Sequence, residues 1–550
     1  MTIKVSGKIR RVDGREISYP EFRDKYMKAN EPVLLTGLMD DWRACRDWVS
    51  PDGQPNLSFF SLNFAKSRVQ VADCDRKEFT DQKRLGMTVA EYIEYWHNLN
   101  SRFYDTDCDG NRNYSSVLYL KDWHFVKEYP DYNAYTTPTF FLDDWLNLYL
   151  DSYRIHGIEG VDEDCECDVS CSDYRFVYMG PKGTWTPLHA DVFRSYSWSA
   201  NVCGKKVWHF LSPSQSHLLY DRYMKQTVYD IYGDVSATQF PGFSETYWLE
   251  CIQERNEIIF VPSGWFHQVK NVEDTISINH NWFNACNISW VWNLLVKDYN
   301  ETQEYIEDIR SIADDFESLC QRNLAANTGM NFDDFFVFIS RMALANFTQL
   351  IDIMHSWERR YSRNGMEASQ IEKFQQILFN LVSIRNVGQN MASIHYFDGY
   401  SKEYKFYIKD VARLFVEMGM SKDINNHDLD DALEKKCHVS QITNLKIPNF
   451  DIVDEADIKT SVSVLEGSEK PICDKNSSKV QIRFCNNLSS SMPQNERTEA
   501  VCGNLLVDGF LTKDCQVTVT NPKHLFQIID DVIASVKEKA LCLGYDLIQT

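Results

Sequence analysis

The rhythm of apolar positions changes along this chain. Near the N-terminus, "ISYPEFRDKYMKANEPVLLTGL" predicts a helix, a turn at Asn30-Glu31-Pro32, and a buried strand closed by Gly37. Residues 1–150 continue in that mixed manner, as N-terminal α/β elements. Over 151–286 lies a strand-rich core. From residue 174 to 283 it is dense in β-branched and aromatic residues and punctuated by turns at Gly180-Pro181-Lys182-Gly183, Pro213-Ser214 and Pro262-Ser263-Gly264. Several short strands with regular turns predict a sandwich or barrel. Residues 287–420 read as helical, with Phe332, Phe335, Phe336 and Phe338 at helical spacing. Periodicity then fades: "EGSEKPICDKNSS" and "NNLSSSMPQNERTE" make 421–520 a linker or disordered segment that buries little apolar surface. It returns over 521–550, where Asn521 can cap a helix and Pro522 suits its first position. Leu525, Ile528, Ile529, Val532, Ile533 and Val536 then form one apolar stripe, read as a packing helix.

Charge narrows the function classes. The chain has 550 residues and a formal net charge of −22. That balance argues against general nucleic-acid binding and against docking on anionic membranes, which both need cation-rich surfaces. It favours a neutral or basic protein partner, while saying nothing about any single cleft. No apolar run of 18 residues suggests a membrane span, and "MTIKVSGKIRRVDGR" lacks the apolar core of a signal peptide. The 16 cysteines therefore read as reduced thiols in the cytoplasm, with the nucleus as the other setting. The cluster Cys165, Cys167 and Cys171 has no second half and sits in acidic sequence, so it reads as a solvated loop rather than a zinc site.

One stretch carries chemistry where a core strand belongs: "TPLHADVFRSYSWSANVCGKKVW". In a strand, residues i and i+2 share a face, so His189 and Asp191 would project together and could take adjacent positions on a metal. A His-x-Asp pair alone is a weak signal. His267, in the apolar run "EIIFVPSGWFHQVKNVEDTISINHNW", reads as the middle strand of an antiparallel set and would be buried, so it needs a polar partner or a metal. Two histidines and one carboxylate suit non-haem Fe(II) oxygenases and also zinc hydrolases. The lysine separates the two. In "GKKVWHF", Lys206, Trp208 and Phe210 share one face, with Lys205 and His209 on the other. A buried lysine needs an anion, and the far carboxylate of 2-oxoglutarate would supply one, with the Thr186 hydroxyl beside it. The alternative is that both lysines are solvated.

At these residues the sequence resembles the JmjC family of Fe(II)- and 2-oxoglutarate-dependent oxygenases. The resemblance rests on "YRFVYMGPKGTWTPLHADVFRSYSWSANVCGKKVWHF", "VPSGWFHQV" and "TISINHNW", and upstream on "PVLLTGL", "LYLKDWHF" and "FFLDDWLN". It implies an α+β protein built on a double-stranded β-helix, a cupin or jelly-roll barrel. It also implies that His189, Asp191 and His267 hold Fe(II), and that Lys206, Thr186, Tyr119 and Asn281 line the 2-oxoglutarate site, with dioxygen as the third reactant. Asn281 falls where related members carry a barrel asparagine, and Ser199 stands where close relatives have asparagine. The activity implied is protein lysyl hydroxylation, on carbon 4 of a lysine in the eukaryotic translation termination factor. Histone lysine demethylation and a catalytically silent scaffold of the same fold are the competing expectations. An intact triad with its lysine speaks against the scaffold.

Overall fold

The computed structural model describes residues 3–102, 116–153, 155, 173–360, 368–400, 402–407, 445–446, 516–542 and 545–546. Cys165, Cys167, Cys171 and most of 421–520 lie outside them. The chain forms two compact units, Met1–Asp334 and Phe335–Thr550.

In the first unit the strands run β1 (Lys4–Lys8), β2 (Arg10–Asp13), β3 (Val33–Thr36), β4 (Arg68–Glu78), β5 (Asp81–Thr88), β6 (Leu118–Trp123) and β7 (Arg175–Gly180). They continue as β8 (Trp185–His189), β9 (Tyr196–Cys203), β10 (Lys206–Leu211), β11 (Tyr247–Gln253), β12 (Glu257–Val261), β13 (Phe266–Asn271) and β14 (Thr275–Trp282). A nine-stranded sheet has the order β2-β3-β12-β9-β14-β7-β6-β4-β5, and a five-stranded sheet the order β1-β11-β10-β13-β8. This is the α+β, cupin-like architecture expected. The N-terminal strands do more than pack on the barrel: β3 pairs with β12, β1 with β11 and β6 with β7, so they lengthen its sheets edge to edge.

One local expectation is corrected. β13 is not flanked by β12 and β14, because those two strands both pair with β9 in the other sheet. The turn at Pro262-Ser263-Gly264 carries the chain across, with Gly264 at φ 72°. A side chain there would meet the Trp290 ring at 2.8 Å, so both the backbone sign and the space require glycine. The side chain of Asn30, itself at φ 55°, clamps the turn by bonding both the N–H and the C=O of Ser263.

Alternation explains which face is which. Trp198, Ala200, Val202, Ile258, Phe260, Ile276 and Ile278 face outward from the nine-stranded sheet and pack with Phe22, Trp42, Trp48 and Phe141 in one core. Burial of each large side chain stabilises by roughly 1.5–3 kcal/mol. The opposite face, toward the five-stranded sheet, carries a smaller apolar cluster that includes Leu34, Trp208, Phe210, Ile259, Trp265 and Val269.

Helices Phe332–Arg360, Ala368–Met391 and Pro522–Cys542 carry the second part of the chain, with strands Tyr404–Tyr407 and Gln516–Val519 paired antiparallel. The stretch Phe332–Met354 is long and apolar enough to cross a membrane, and 78% of its most apolar window is buried inside the protein, as in a core helix. Asn521 accepts the N–H of His524 and caps the last helix. That helix buries Leu525, Ile528, Ile529, Val532 and Val536 and is tied to Ala368–Met391 by the Arg385–Asp530 ion pair. The residues after 420 therefore do bury apolar surface, at their far end.

Candidate metal centre and co-substrate pocket

β8 and β13 pair antiparallel with His189 opposite His267. The two imidazoles face each other, their centroids 4.3 Å apart. One ligand atom from each of His189, Asp191 and His267 lies within 4.8 Å of the others, the spread that one metal ion can bridge. The Nδ1 of His189 lies 2.8 Å from the carbonyl of Pro187, and that of His267 lies 3.3 Å from the carbonyl of Trp265. A carbonyl only accepts, so each Nδ1 carries the proton and each Nε2 is left with its lone pair for a metal. Burial, with His189 alongside, pushes the His267 imidazole below its ordinary pKa and keeps it neutral, the state a ligand needs.

Asp191 reaches this place by a route other than strand alternation. β8 ends at His189, and Asp191 opens the turn that follows. Phe193 and Arg194 both sit at positive φ, 54° and 53°, and this consecutive left-handed pair bends the chain into β9. The Ser197 hydroxyl donates to Asp191 Oδ2 at 2.7 Å and fixes the carboxylate.

Behind the triad stands Lys206, on β10 and opposite Asn271 of β13. Its ammonium is buried and donates to Tyr119 Oη and Asn271 Oδ1, both at 3.1 Å. Both acceptors are neutral, and burial pushes the lysine down to about 7. A cation so placed lacks the anion that would repay its desolvation. Burial also pushes the Tyr119 phenol up, so it stays protonated. The wall between lysine and metal is apolar on one side: Trp208 and Phe210 stack in parallel, and each ring centroid lies 5.6 Å from that of His267. On the nine-stranded sheet, Ser199 Oγ and Asn201 Oδ1 are buried with no hydrogen-bond partner among the described residues. Such orphaned groups fit a cavity meant to hold a polar guest.

Thr186 lies opposite Val269 on β13, between the lysine row and the histidine row. It shares a face with His189, three residues on, only because the β8–β13 register shifts between His267 and Val269. Asn281 stands apart from the lysine end. It is opposite Ser197, and its amide donates to Ser195 Oγ at 3.2 Å. His209 points away from the pocket as expected, yet it is covered, with Tyr232 Oη 2.7 Å from its Nδ1.

Three contributors escaped the sequence reading. Asn271, the last residue of β13, accepts from Lys206 and donates to Thr184 Oγ1. Gly180 matters for what it lacks, since a Cβ there would come within 2.6 Å of the Tyr119 ring and 2.8 Å of Thr184 Oγ1. Gln82 bridges the barrel: it accepts from buried Lys121 of β6 and donates to the Trp185 carbonyl of β8. A glutamine in a charged hairpin and a glycine beside a proline give no signal of these roles.

The Cupin-like domain family matches residues 19–288. The arginine-specific demethylase JMJ20 of Arabidopsis thaliana is 52% identical over 473 residues, which cover 83% of this chain and 96% of the relative. The 2-oxoglutarate and iron-dependent oxygenase JMJD4 of Danio rerio is 39% identical over 333 residues, covering 60% and 73%. The chain belongs to the JmjC 2-oxoglutarate- and iron-dependent oxygenases. A bifunctional arginine demethylase and lysyl-hydroxylase, psr-1 of Caenorhabditis briggsae, matches at 27% over 308 residues, 52% of this chain and 65% of the relative. As a member of this family, the oxygenase uses iron and 2-oxoglutarate. The residues present fit both: two imidazole Nε2 atoms and a carboxylate for the metal, and a buried ammonium for an anion.

Proposed function

We propose that this oxygenase hydroxylates carbon 4 of a lysine in the eukaryotic translation termination factor, acting in the cytoplasm. The observation that carries the oxygenase chemistry is the buried Lys206 ammonium, held by neutral groups on the same barrel wall as the triad. His189, Asp191 and His267 would hold Fe(II), and Lys206 with Tyr119 and Thr186 would hold the far carboxylate of 2-oxoglutarate. With both bound, dioxygen is consumed, 2-oxoglutarate becomes succinate and carbon dioxide, and one oxygen atom is inserted into a substrate C–H bond. The chain itself orients these reactants. The two Nδ1–H···O=C bonds fix the ring planes, Ser197 fixes the carboxylate, and the Trp208–Phe210 wall keeps water from the reacting atoms.

The lysine target rests on the likeness of "HADVFRSYSW" and "SINHNW" to the hydroxylating members. The protein named arginine-specific demethylase favours a second reading, removal of an N-methyl group from arginine. The two share the insertion step and differ in the fate of its product. An alcohol on a side-chain carbon is stable, whereas a hydroxylated N-methyl group falls apart to formaldehyde. The test supplies the iron-loaded protein with unmethylated termination factor or with methyl-arginine peptides. The lysyl reading expects one oxygen retained on the factor and no formaldehyde. Formaldehyde from the peptides, with the factor unmodified, would replace it with demethylation.

A further inference from the structure

The hairpin of β4 and β5 turns through a two-residue loop, Phe79-Thr80, since Glu78 pairs with Asp81. Phe79 sits there at φ 53° with 93% of its surface exposed. The first position of such a loop favours glycine or asparagine. A phenyl group that packs on nothing among the described residues and holds the chain left-handed is explained neither by the core nor by the backbone. The tip's surroundings run against the charge of the chain. Arg76 pairs with Asp73 and Arg84 with Asp81, which leaves Lys77 and Lys83 beside Glu78 at the tip, in a protein of net charge −22.

The hairpin also abuts the metal-bearing strand. Gln82 donates to the carbonyl of Trp185, and the Lys77 ammonium lies 4.6 Å from the centroid of the Tyr229 ring. Tyr229 packs on the Trp185 ring and accepts the N–H of Leu188, the neighbour of His189. From Trp185 to His189 the strand advances about 13 Å at about 3.3 Å per residue. A bound segment with its target residue at the metal would thus reach the flank of the hairpin within a handful of extended residues.

We propose that the β4–β5 hairpin is a docking finger for the protein substrate. Phe79 enters an apolar notch on that protein, and Lys77 and Lys83 meet acidic residues around the notch. The finger holds the folded substrate while a neighbouring segment crosses to the metal. The proposal rests on the reading of this chain as a protein oxygenase and adds a recognition surface remote from the reacting atoms.

The test incubates iron-loaded full-length protein with 2-oxoglutarate, heavy-isotope dioxygen and a cell protein extract. Labelled residues are read by mass spectrometry for wild type, Phe79→Gly and Lys83→Glu. Wild type should label the termination factor; label on another protein would overturn that substrate, and the finger would be judged on the protein found. Phe79→Gly should cut labelling at limiting substrate at least about tenfold. Its Tm should hold or rise, because glycine relieves the left-handed strain, and succinate release without protein substrate should not change. Lys83→Glu should give a similar loss that wild type shows only at high salt. Wild-type labelling by both variants would overturn the finger. Label on no protein at all would overturn the finger and the oxygenase reading of its substrate together.

Discussion

At the residue scale, Lys206 makes the pocket depend on pH. Its ordinary pKa is 10.5 and burial brings it to about 7. Between those values the unfolded chain binds more protons at this site than the folded one, so its contribution to stability rises with pH from about 7 toward about 10.5. Binding an anion reverses the preference, because the ammonium must then be charged. We expect 2-oxoglutarate binding to take up a proton above pH 7 and its affinity to fall by up to about tenfold per pH unit there. Calorimetry in buffers of different ionisation heat would show the uptake; its absence, with pH-independent affinity, would remove Lys206 from the carboxylate site. Asp191 makes a different demand. Its carboxylate is bonded to Ser197 at the surface of a turn and fills no core position. Asp191→Ala should therefore lose turnover and iron affinity while its Tm stays within a few degrees. Activity retained with iron bound would mean that the metal is held by other groups.

At the scale of elements, the terminal helix has a measurable task. Pro522–Cys542 inserts Leu525, Ile528, Ile529, Val532 and Val536 into the second unit and pairs with Arg385 of Ala368–Met391. Removing everything after residue 420 would expose the partner face of that helix. We expect amide exchange to rise across Ala368–Met391 in such a truncation, with the β8–β13 pair still protected. Unchanged exchange in Ala368–Met391 would show that the helix does not depend on its terminal partner. The same scale holds the barrel latch: Gln82 links Lys121 of β6 to the Trp185 carbonyl of β8, which the Cys74 thiol also approaches. A leucine in its place would leave the buried Lys121 ammonium without that acceptor, at about 1–3 kcal/mol.

At the scale of the whole molecule, two compact units imply that heat need not unfold the chain in one step. The His189–Asp191–His267 cluster and Lys206 both belong to Met1–Asp334. Iron with 2-oxoglutarate under nitrogen should raise only the transition of that unit, by about 2.7 kcal/mol at a hundredfold excess over Kd. Calorimetry with and without the pair would show it; equal shifts in every transition would mean that the units melt as one.

Read alone, the sequence determined what is local. Alternation over "GKKVWHF" put Lys206, Trp208 and Phe210 on one face, and the turn residues marked off the strands. The motifs "TPLHAD" and "WFHQV" named all three members of the triad and pointed to the family. Only the tertiary structure decided who stands beside whom. Strand periodicity says which face a residue takes and not which strand lies next to it. So β13 was placed beside its sequence neighbours, whereas its partners are β8 and β10. Bulges and turns are equally invisible: a register shift brings Thr186 and His189 to one face, and a left-handed pair of residues, rather than a strand, aims Asp191. Asn271, Gly180 and Gln82 were missed for the same reason, because each acts through a residue far away in the chain. Polar side chains acquire such roles only when folding removes water and leaves them one another as partners.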